Sequence, residues 1–152
     1  MKIKMPAESL TIKTEVVCPN DTNPVGYLKG GNLVQWMDIA AAVTAQTHTG
    51  MICVTAGISE VNFFAPAKVG DILVIEAQPT RAFHSSLEIY VKVALIDITS
   101  AKRTLIADAY FTFVASNNND RSIPIAEISP QSNDEKKQYE QALERKERRK
   151  NK

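Results

Sequence analysis

At 152 residues, with 44% hydrophobic and 23% charged residues, the chain has the make-up of one domain able to bury a core without disulfides or metals. A formal net charge of +1 gives no case for nucleic acid or membrane as the main partner. Cys18 and Cys53 form neither a CxxC pair nor a disulfide framework and read as reduced thiols, and Met1-Lys2-Ile3-Lys4-Met5-Pro6 lacks the apolar run of a signal peptide, so a soluble, cytoplasmic protein is expected.

Ser9 to Val17 alternates Leu10, Ile12, Thr14 and Val16 with polar neighbours, which predicts a strand. Cys18 to Gly26, with Pro19, Asn20, Asp21, Asn23 and Pro24, reads as irregular turns. Gly30-Gly31 opens a helix that runs to about Thr47 and stops before Gly50. Its apolar positions cover nearly the whole circumference, which predicts a helix buried on all sides. Between Lys29 and Glu60 the only formal charge is Asp38, in the middle of that helix. Its neighbours one turn away are Val34, Gln35, Ala41 and Ala42, not the lysines and glutamates of a solvated face. Asp38 is therefore the leading candidate for chemistry, set in a narrow and sparsely polar space.

Beyond Gly50 the period changes to two. Met51 to Phe64, Ile72 to about Gln78, Leu87 to Leu95 and Leu105 to Phe113 read as consecutive strands, with Glu88, Tyr90 and Lys92 on the polar side of the third. An antiparallel sheet wrapped around a single long helix, an α+β fold, satisfies this order economically. Asn117 to Asp120 reads as a loop, and Pro124 and Pro130 argue against regular structure between them. Residues 131–152 form a charged tail beyond a domain of residues 1–130. From Asp134 onward the tail holds eight Lys/Arg against five Asp/Glu. Only Tyr139, Ala142 and Leu143 offer packing surface, so a solvated helix is expected, and removing it is expected to leave assembly and rate unchanged.

Phosphate-binding GxxxxGK[ST], GxGxxG and GxSxG motifs are absent. His48 and His84 have no ligand partners at metal spacing, and Ser85-Ser86 has no histidine paired with it. Asn23, Gly30-Gly31 and Asp38 remain. The glycines are either a tight helix entry or a place where a substrate approaches free N–H groups at the positive helix end, as a developing oxyanion requires. Asn23 is either a turn residue or a neutral amide that orients a water or carbonyl.

Asp21-Thr22-Asn23-Pro24-Val25-Gly26, then Gly30-Gly31, then Trp36-Met37-Asp38, resemble the signature of hotdog-fold acyl-CoA thioesterases, the acyl-CoA hydrolase group that includes the brain-type enzyme and small bacterial ones. Val61-Asn62-Phe63-Phe64-Ala65-Pro66, Val69-Gly70-Asp71, Ser85-Ser86 and Ala109 to Ala115 resemble later motifs in the same order, so the resemblance spans roughly residues 9–125. It implies a hotdog fold that pairs into homodimers, with the active site across the interface, and further assembly as a trimer of dimers, a hexamer. It implies Asp38 as general base or nucleophile, Asn23 from the partner chain as its polar helper, and the Gly31 N–H as oxyanion donor. Gly30, Asn62, Phe63, Arg81, Ser85 and Ser86 would contact the acyl-CoA substrate, with Arg81, Lys68 and Arg121 as candidate cations for its nucleotide. Coenzyme A enters as part of the substrate, and no separate cofactor or metal is expected. Many members carry His or Phe before the glycine pair, where this chain has Lys29. The expected reaction is hydrolysis of acyl-CoA to a free acid and CoA. The alternatives are an acyl-CoA-binding hotdog module without turnover and, third, a hotdog hydratase or dehydratase, whose chemistry uses a histidine beside the acid.

Overall fold

Helix α1 (Gly30–Thr49) ends where Gly50 takes a left-handed conformation, φ 68°, and returns its N–H to the Gln46 carbonyl. Around it the computed structural model, which describes residues 2–116 and 124–151, wraps a sheet. The loop expected at Asn117 to Asp120 and the candidate cation Arg121 lie outside the described residues. The chain order is β1 (Ile3–Lys4), β2 (Thr11–Val16), α1, β3 (Cys53–Phe63), β4 (Ile72–Ala82), β5 (Ser86–Ile96), β6 (Arg103–Ala115), β7 (Glu127–Ile128) and α2 (Asn133–Lys150). Five strands form one antiparallel sheet in the order β2-β4-β5-β6-β3, and β1 pairs with β7 in parallel. The two short strands are an addition to the expected order, and β7 fits between Pro124 and Pro130 because two residues suffice for it.

Period-two patterning puts one row of each strand against the helix. Leu73, Ile75 and Ala77 of β4, Leu87, Ile89, Val91 and Val93 of β5, and Ala107, Ala109, Phe111 and Phe113 of β6 pack with Leu33, Met37, Ala40, Ala41 and Ala45 of α1. The alanines let the helix lie close to the sheet, and each large side chain removed from water stabilises by about 1.5–3 kcal/mol. Thr44 adds a hydrogen bond from its hydroxyl to the Ala77 carbonyl at 2.9 Å. At the far end of α1 the buried His48 bonds the Ala126 carbonyl through Nε2, at 2.6 Å, with Ser9 Oγ beside Nδ1 at 3.3 Å. Burial holds its pKa below the ordinary value.

Two expectations are corrected. The helix is not buried all round: Ile39 and Val43 are each 46% exposed, because the sheet of one chain reaches around only part of α1. The tail is not solvated either. Helix α2 opens with a capping box between Ser132 and Glu135 and lies on the sheet face opposite α1. There Glu88, expected to face solvent, is fully buried and receives two hydrogen bonds from Arg145, at 2.7 and 3.0 Å, and one from the Thr80 hydroxyl at 2.6 Å. The Arg145 guanidinium also stacks 3.8 Å from the Tyr110 ring centre. Charged residues that read as solubilising in sequence are thus the docking contacts. Among the described residues no helix is long and apolar enough to cross a membrane.

Candidate active site

Asp38 sits half-buried on α1, and its Oδ1 accepts a hydrogen bond of 2.7 Å from the Thr55 hydroxyl. Thr55 faces the helix because Cys53 pairs with Ala115 and Thr55 with Phe113 on the core side of the sheet, before a bulge turns the strand. No cation pairs with the Asp38 carboxylate among the described residues. Thr55 escaped sequence reading: a threonine in a β-rich run looks like ordinary strand composition, and only the β3–β6 register brings it to the helix.

The N-terminus of α1 is open. Lys29 at the N-cap supplies no side-chain bond, so first-turn N–H groups of the helix are left without a cap. Gly31 is exposed, and a Cβ added there would meet nothing within 4 Å of its own chain. A glycine inside a helix costs about 1 kcal/mol relative to alanine, and nothing in this protomer requires one at Gly31. Gly30 packs under Phe63, whose ring lies 3.5 Å from where a Cβ would stand. Beside it an apolar cavity of about 300 Å³ is bounded by Leu28, Leu33, Phe63, Phe64, Pro66 and Ile106. A larger cleft of about 420 Å³ lies between α2 and the outer sheet face, across the sheet from Asp38, and is lined by Glu76, Gln78, Tyr90, Lys92 and Gln138 among others.

Asn23 belongs structurally to this helix end. Its Oδ1 accepts from Val25 N and Tyr27 N, each at 3.1 Å, closing the Asn-Pro-Val-Gly turn with Gly26 at φ 86°. Asp21 ties that turn to α1: its carbonyl accepts from Lys29 N, and its carboxylate from Asn32 Nδ2 at 3.2 Å. The Asn23 amide nitrogen makes no hydrogen bond among the described residues, and none joins Asn23 to Asp38 within the protomer.

The remaining residues fall in three places. Phe63 stands with Gly30. Asn62 is on the outer sheet face, donating to Asp108 Oδ1 at 3.0 Å and to the Glu60 carbonyl. Arg81 is also on that face, against α2, donating to the Tyr139 carbonyl at 3.2 Å with its guanidinium 4.2 Å from the Tyr139 ring centre. Ser85 lies in the β4–β5 turn, where its carbonyl accepts from Ala115 N, and Ser86 opens β5 opposite Val114. Lys68 is exposed, bridged to Tyr27 near the α1 N-terminus. One protomer therefore assembles Asp38 with Thr55, and separately Asn23 with Gly30 and Gly31, but does not join the two groups.

A five-stranded antiparallel sheet wrapped on one long helix is a hotdog architecture. Residues 25–101 match the model of the thioesterase superfamily, and the chain belongs to that family. It is 33% identical over 144 residues to a Bacillus subtilis protein named an uncharacterized acyl-CoA thioester hydrolase, covering 95% of this chain and 84% of that one. It is 32% identical over 141 residues to an acetyl-coenzyme A thioesterase of Mus musculus, of which it spans 25% of the length while 93% of this chain is covered. The structure of an acyl-CoA hydrolase of Staphylococcus aureus in complex with butyryl-CoA, CoA and CoA disulfide superposes with a TM-score of 0.91 at 37% identity, covering 97% of this chain and 90% of that one. A hexameric apo acyl-CoA thioesterase superposes with a TM-score of 0.93 at 36% identity, covering 99% and 97%. Structures of the S. aureus hydrolase include separate alanine variants of an aspartate, an asparagine and a threonine, whose spacing along that chain equals that of Asn23, Asp38 and Thr55 here.

Proposed function

We propose that the chain hydrolyses acyl-CoA thioesters to a free acid and CoA at a site shared by two protomers. The observation that carries this reading is the separation of the two half-sites. Gly31 and Asp38 lie two helical turns apart, about 10 Å along the axis, on one side of α1. A carbonyl oxygen held 3 Å from the Gly31 N–H leaves the Asp38 carboxylate of the same helix too far to serve a water at that carbon. A partner related by two-fold symmetry, with its helix antiparallel, brings Asp38 and Thr55 of one chain opposite Gly31 and Asn23 of the other. Exposed apolar residues supply a surface for such pairing: Ile39 and Val43 on α1, and Ile58 and Phe63 on the edge strand β3.

In this arrangement the acyl-CoA carbonyl accepts from the helix-end N–H groups, which face the oxygen where negative charge develops. Asp38, held by Thr55, takes a proton from the attacking water; the tetrahedral intermediate then expels the CoA thiolate, which is protonated, and leaves the free acid. Direct attack by Asp38 to give a mixed anhydride is the same site acting as a nucleophile. Asn23 orients the carbonyl or the water through its free amide. The apolar cavity beside Gly30 takes the acyl chain. The hexamer among the relatives and the two exposed faces support a dimer as the working unit and a trimer of dimers as the assembly. A hydratase reading lacks its histidine beside the acid, since His48 is committed to Ser9 and Ala126. The test is thiol release from acyl-CoA, followed with a colorimetric thiol reagent. Repeated turnover is the expected result, and stoichiometric acyl-CoA binding with no thiol released contradicts it.

A further inference from the structure

Strand β3 touches α1 at two places. Thr55 donates to Asp38 at 2.7 Å, and eight residues later the Phe63 ring lies 3.5 Å from where a Cβ on Gly30 would stand. Gly30 and Asp38 are also eight residues apart, which is about 12 Å along a helix, whereas eight residues of regular strand reach about 27 Å. Two bulges in β3, between Thr55 and Gly57 and between Ser59 and Asn62, close part of that difference: Thr55 and Phe63 pair with Phe113 and Ala107, six positions apart on β6. Six positions span about 20 Å, and each bulge also bends the strand. Parity matters as much as length. Two extra residues keep Thr55 and Phe63 on the helix side of the sheet, and one alone turns Phe63 to the outer face.

The second bulge is held from the outer face of the sheet. Glu60 takes a left-handed conformation, φ 51°, which residues carrying a Cβ rarely adopt. Its carbonyl accepts from Asn62 Nδ2 at 3.1 Å, and the same amide donates to Asp108 Oδ1 at 3.0 Å. The other Asp108 oxygen accepts from the Tyr90 hydroxyl at 2.7 Å. Burial first, then that hydrogen bond, pushes the Tyr90 pKa up, so the hydroxyl remains a donor. From α2, Arg148 Nη2 lies 3.0 Å from the Glu60 carboxylate, a solvent-exposed pair that adds little. Backbone strain of this kind persists where the surrounding contacts over-determine it, and the Asn62–Asp108–Tyr90 chain does so here.

We infer that the Glu60–Val61 bulge, braced by Asn62, Asp108 and Tyr90, is a positioning device that seats the Phe63 ring against Gly30 and so fixes one wall of the acyl cavity. The inference rests on the thioesterase reading. Glu60, Asn62 and Asp108 are positioning residues, because none of them lines that cavity. In this role the Asn62 amide serves Asp108 and the Glu60 carbonyl, not the substrate. Leu33, Ala67 and Ile106 form a buried floor, whereas Phe63 is 56% exposed and keeps its place only through its strand. A displaced ring withdraws burial from the far part of the acyl group and leaves the thioester carbonyl at the helix-end N–H groups undisturbed.

The test compares the unmodified chain with Glu60→Val and Glu60→Gly, using acetyl-CoA and the longest straight-chain acyl-CoA that the unmodified chain hydrolyses. Valine resists a left-handed φ, whereas glycine adopts it without strain. Glu60→Val is expected to raise KM for the long acyl-CoA about tenfold, the effect of burying one or two fewer methylene groups. Its KM for acetyl-CoA and both kcat values are expected to stay within about twofold. Glu60→Gly is expected to keep KM for both substrates within about twofold, and crystal structures to show the Phe63 ring against Gly30 in Glu60→Gly and away from it in Glu60→Val. Equal KM changes on the two substrates, no change in Glu60→Val, or the same change in both variants overturns the proposal. Should Glu60→Val fail to fold, Asp108→Asn, which no longer accepts from both Asn62 and Tyr90, reads the same comparison with a smaller shift. If the unmodified chain hydrolyses neither substrate, the thioesterase reading fails, while the crystal structures still decide the bulge: a ring against Gly30 in both variants overturns it.

Discussion

Asp38→Asn lowers kcat for acyl-CoA hydrolysis by about 10²- to 10³-fold, the range in which a positioned general base contributes. That is about 3–4 kcal/mol of transition-state stabilisation. The substitution is nearly isosteric, and the amide oxygen of asparagine still accepts the Thr55 hydroxyl hydrogen bond that Oδ1 accepts at 2.7 Å. Fold and assembly are therefore retained, and substrate binding, proposed to fall to the helix-end N–H groups and the apolar cavity, changes little. Only proton acceptance, or nucleophilic attack, is lost. The expected pattern is a large fall in kcat with KM within about threefold, measured by thiol release over a range of acyl-CoA concentrations. A well-folded oligomer that keeps more than a tenth of normal turnover contradicts the role given to Asp38.

Arg145→Ala destabilises the protein by about 3 kcal/mol, towards the low end of the cost of breaking a buried ion pair. Glu88 is fully buried, and removing Arg145 takes away two of its three hydrogen bonds. The uncompensated carboxylate carries most of the cost. Arg149, already 3.7 Å from Oε2, moderates it by moving into the vacancy. For a chain of this length the change corresponds to a fall in Tm of about 10 °C. Replacing both partners, as in Glu88→Met, Arg145→Met, restores most of the loss, because a pair of apolar side chains leaves no charge without a partner. Thermal unfolding of the three proteins checks the ordering. A single variant as stable as the parent shows that α2 does not hold the sheet through this pair. The same contacts make truncation after Pro130 destabilising, contrary to the neutral outcome that the composition of the tail suggests.

The elements most legible in sequence are those whose period is set by a single face. Leu87, Ile89, Val91 and Val93 alternate strictly, and all four are core residues of β5. Gly50 marks the helix end because a left-handed residue is needed there. Asp38 is legible because a lone charge among alanines and valines has no composition-level reason to be present. What escaped depends on pairing between segments distant in sequence. Thr55 meets Asp38 through the β3–β6 register, and Glu88 meets Arg145 57 residues later. The apparent all-round apolarity of α1 is correct as composition. Part of that surface, at Ile39 and Val43, faces outward from the protomer, because the five strands cover only one side of the helix. Arg81 illustrates the converse: a strand-end cation reads in sequence as a candidate for the nucleotide, yet α2 sets the Tyr139 ring and carbonyl against it.

The central claim is that carboxylate and oxyanion donors come from different chains. Co-expression of Asp38→Asn with Asn23→Ala, each inactive or nearly so as a homo-oligomer, tests it most directly. In mixed dimers one of the two sites combines an intact Asp38 with an intact Asn23, so random pairing restores roughly a quarter of the unmodified thiol-release rate. If both groups serve one site within a single chain, the mixture stays as inactive as its components, and the two-protomer account is wrong.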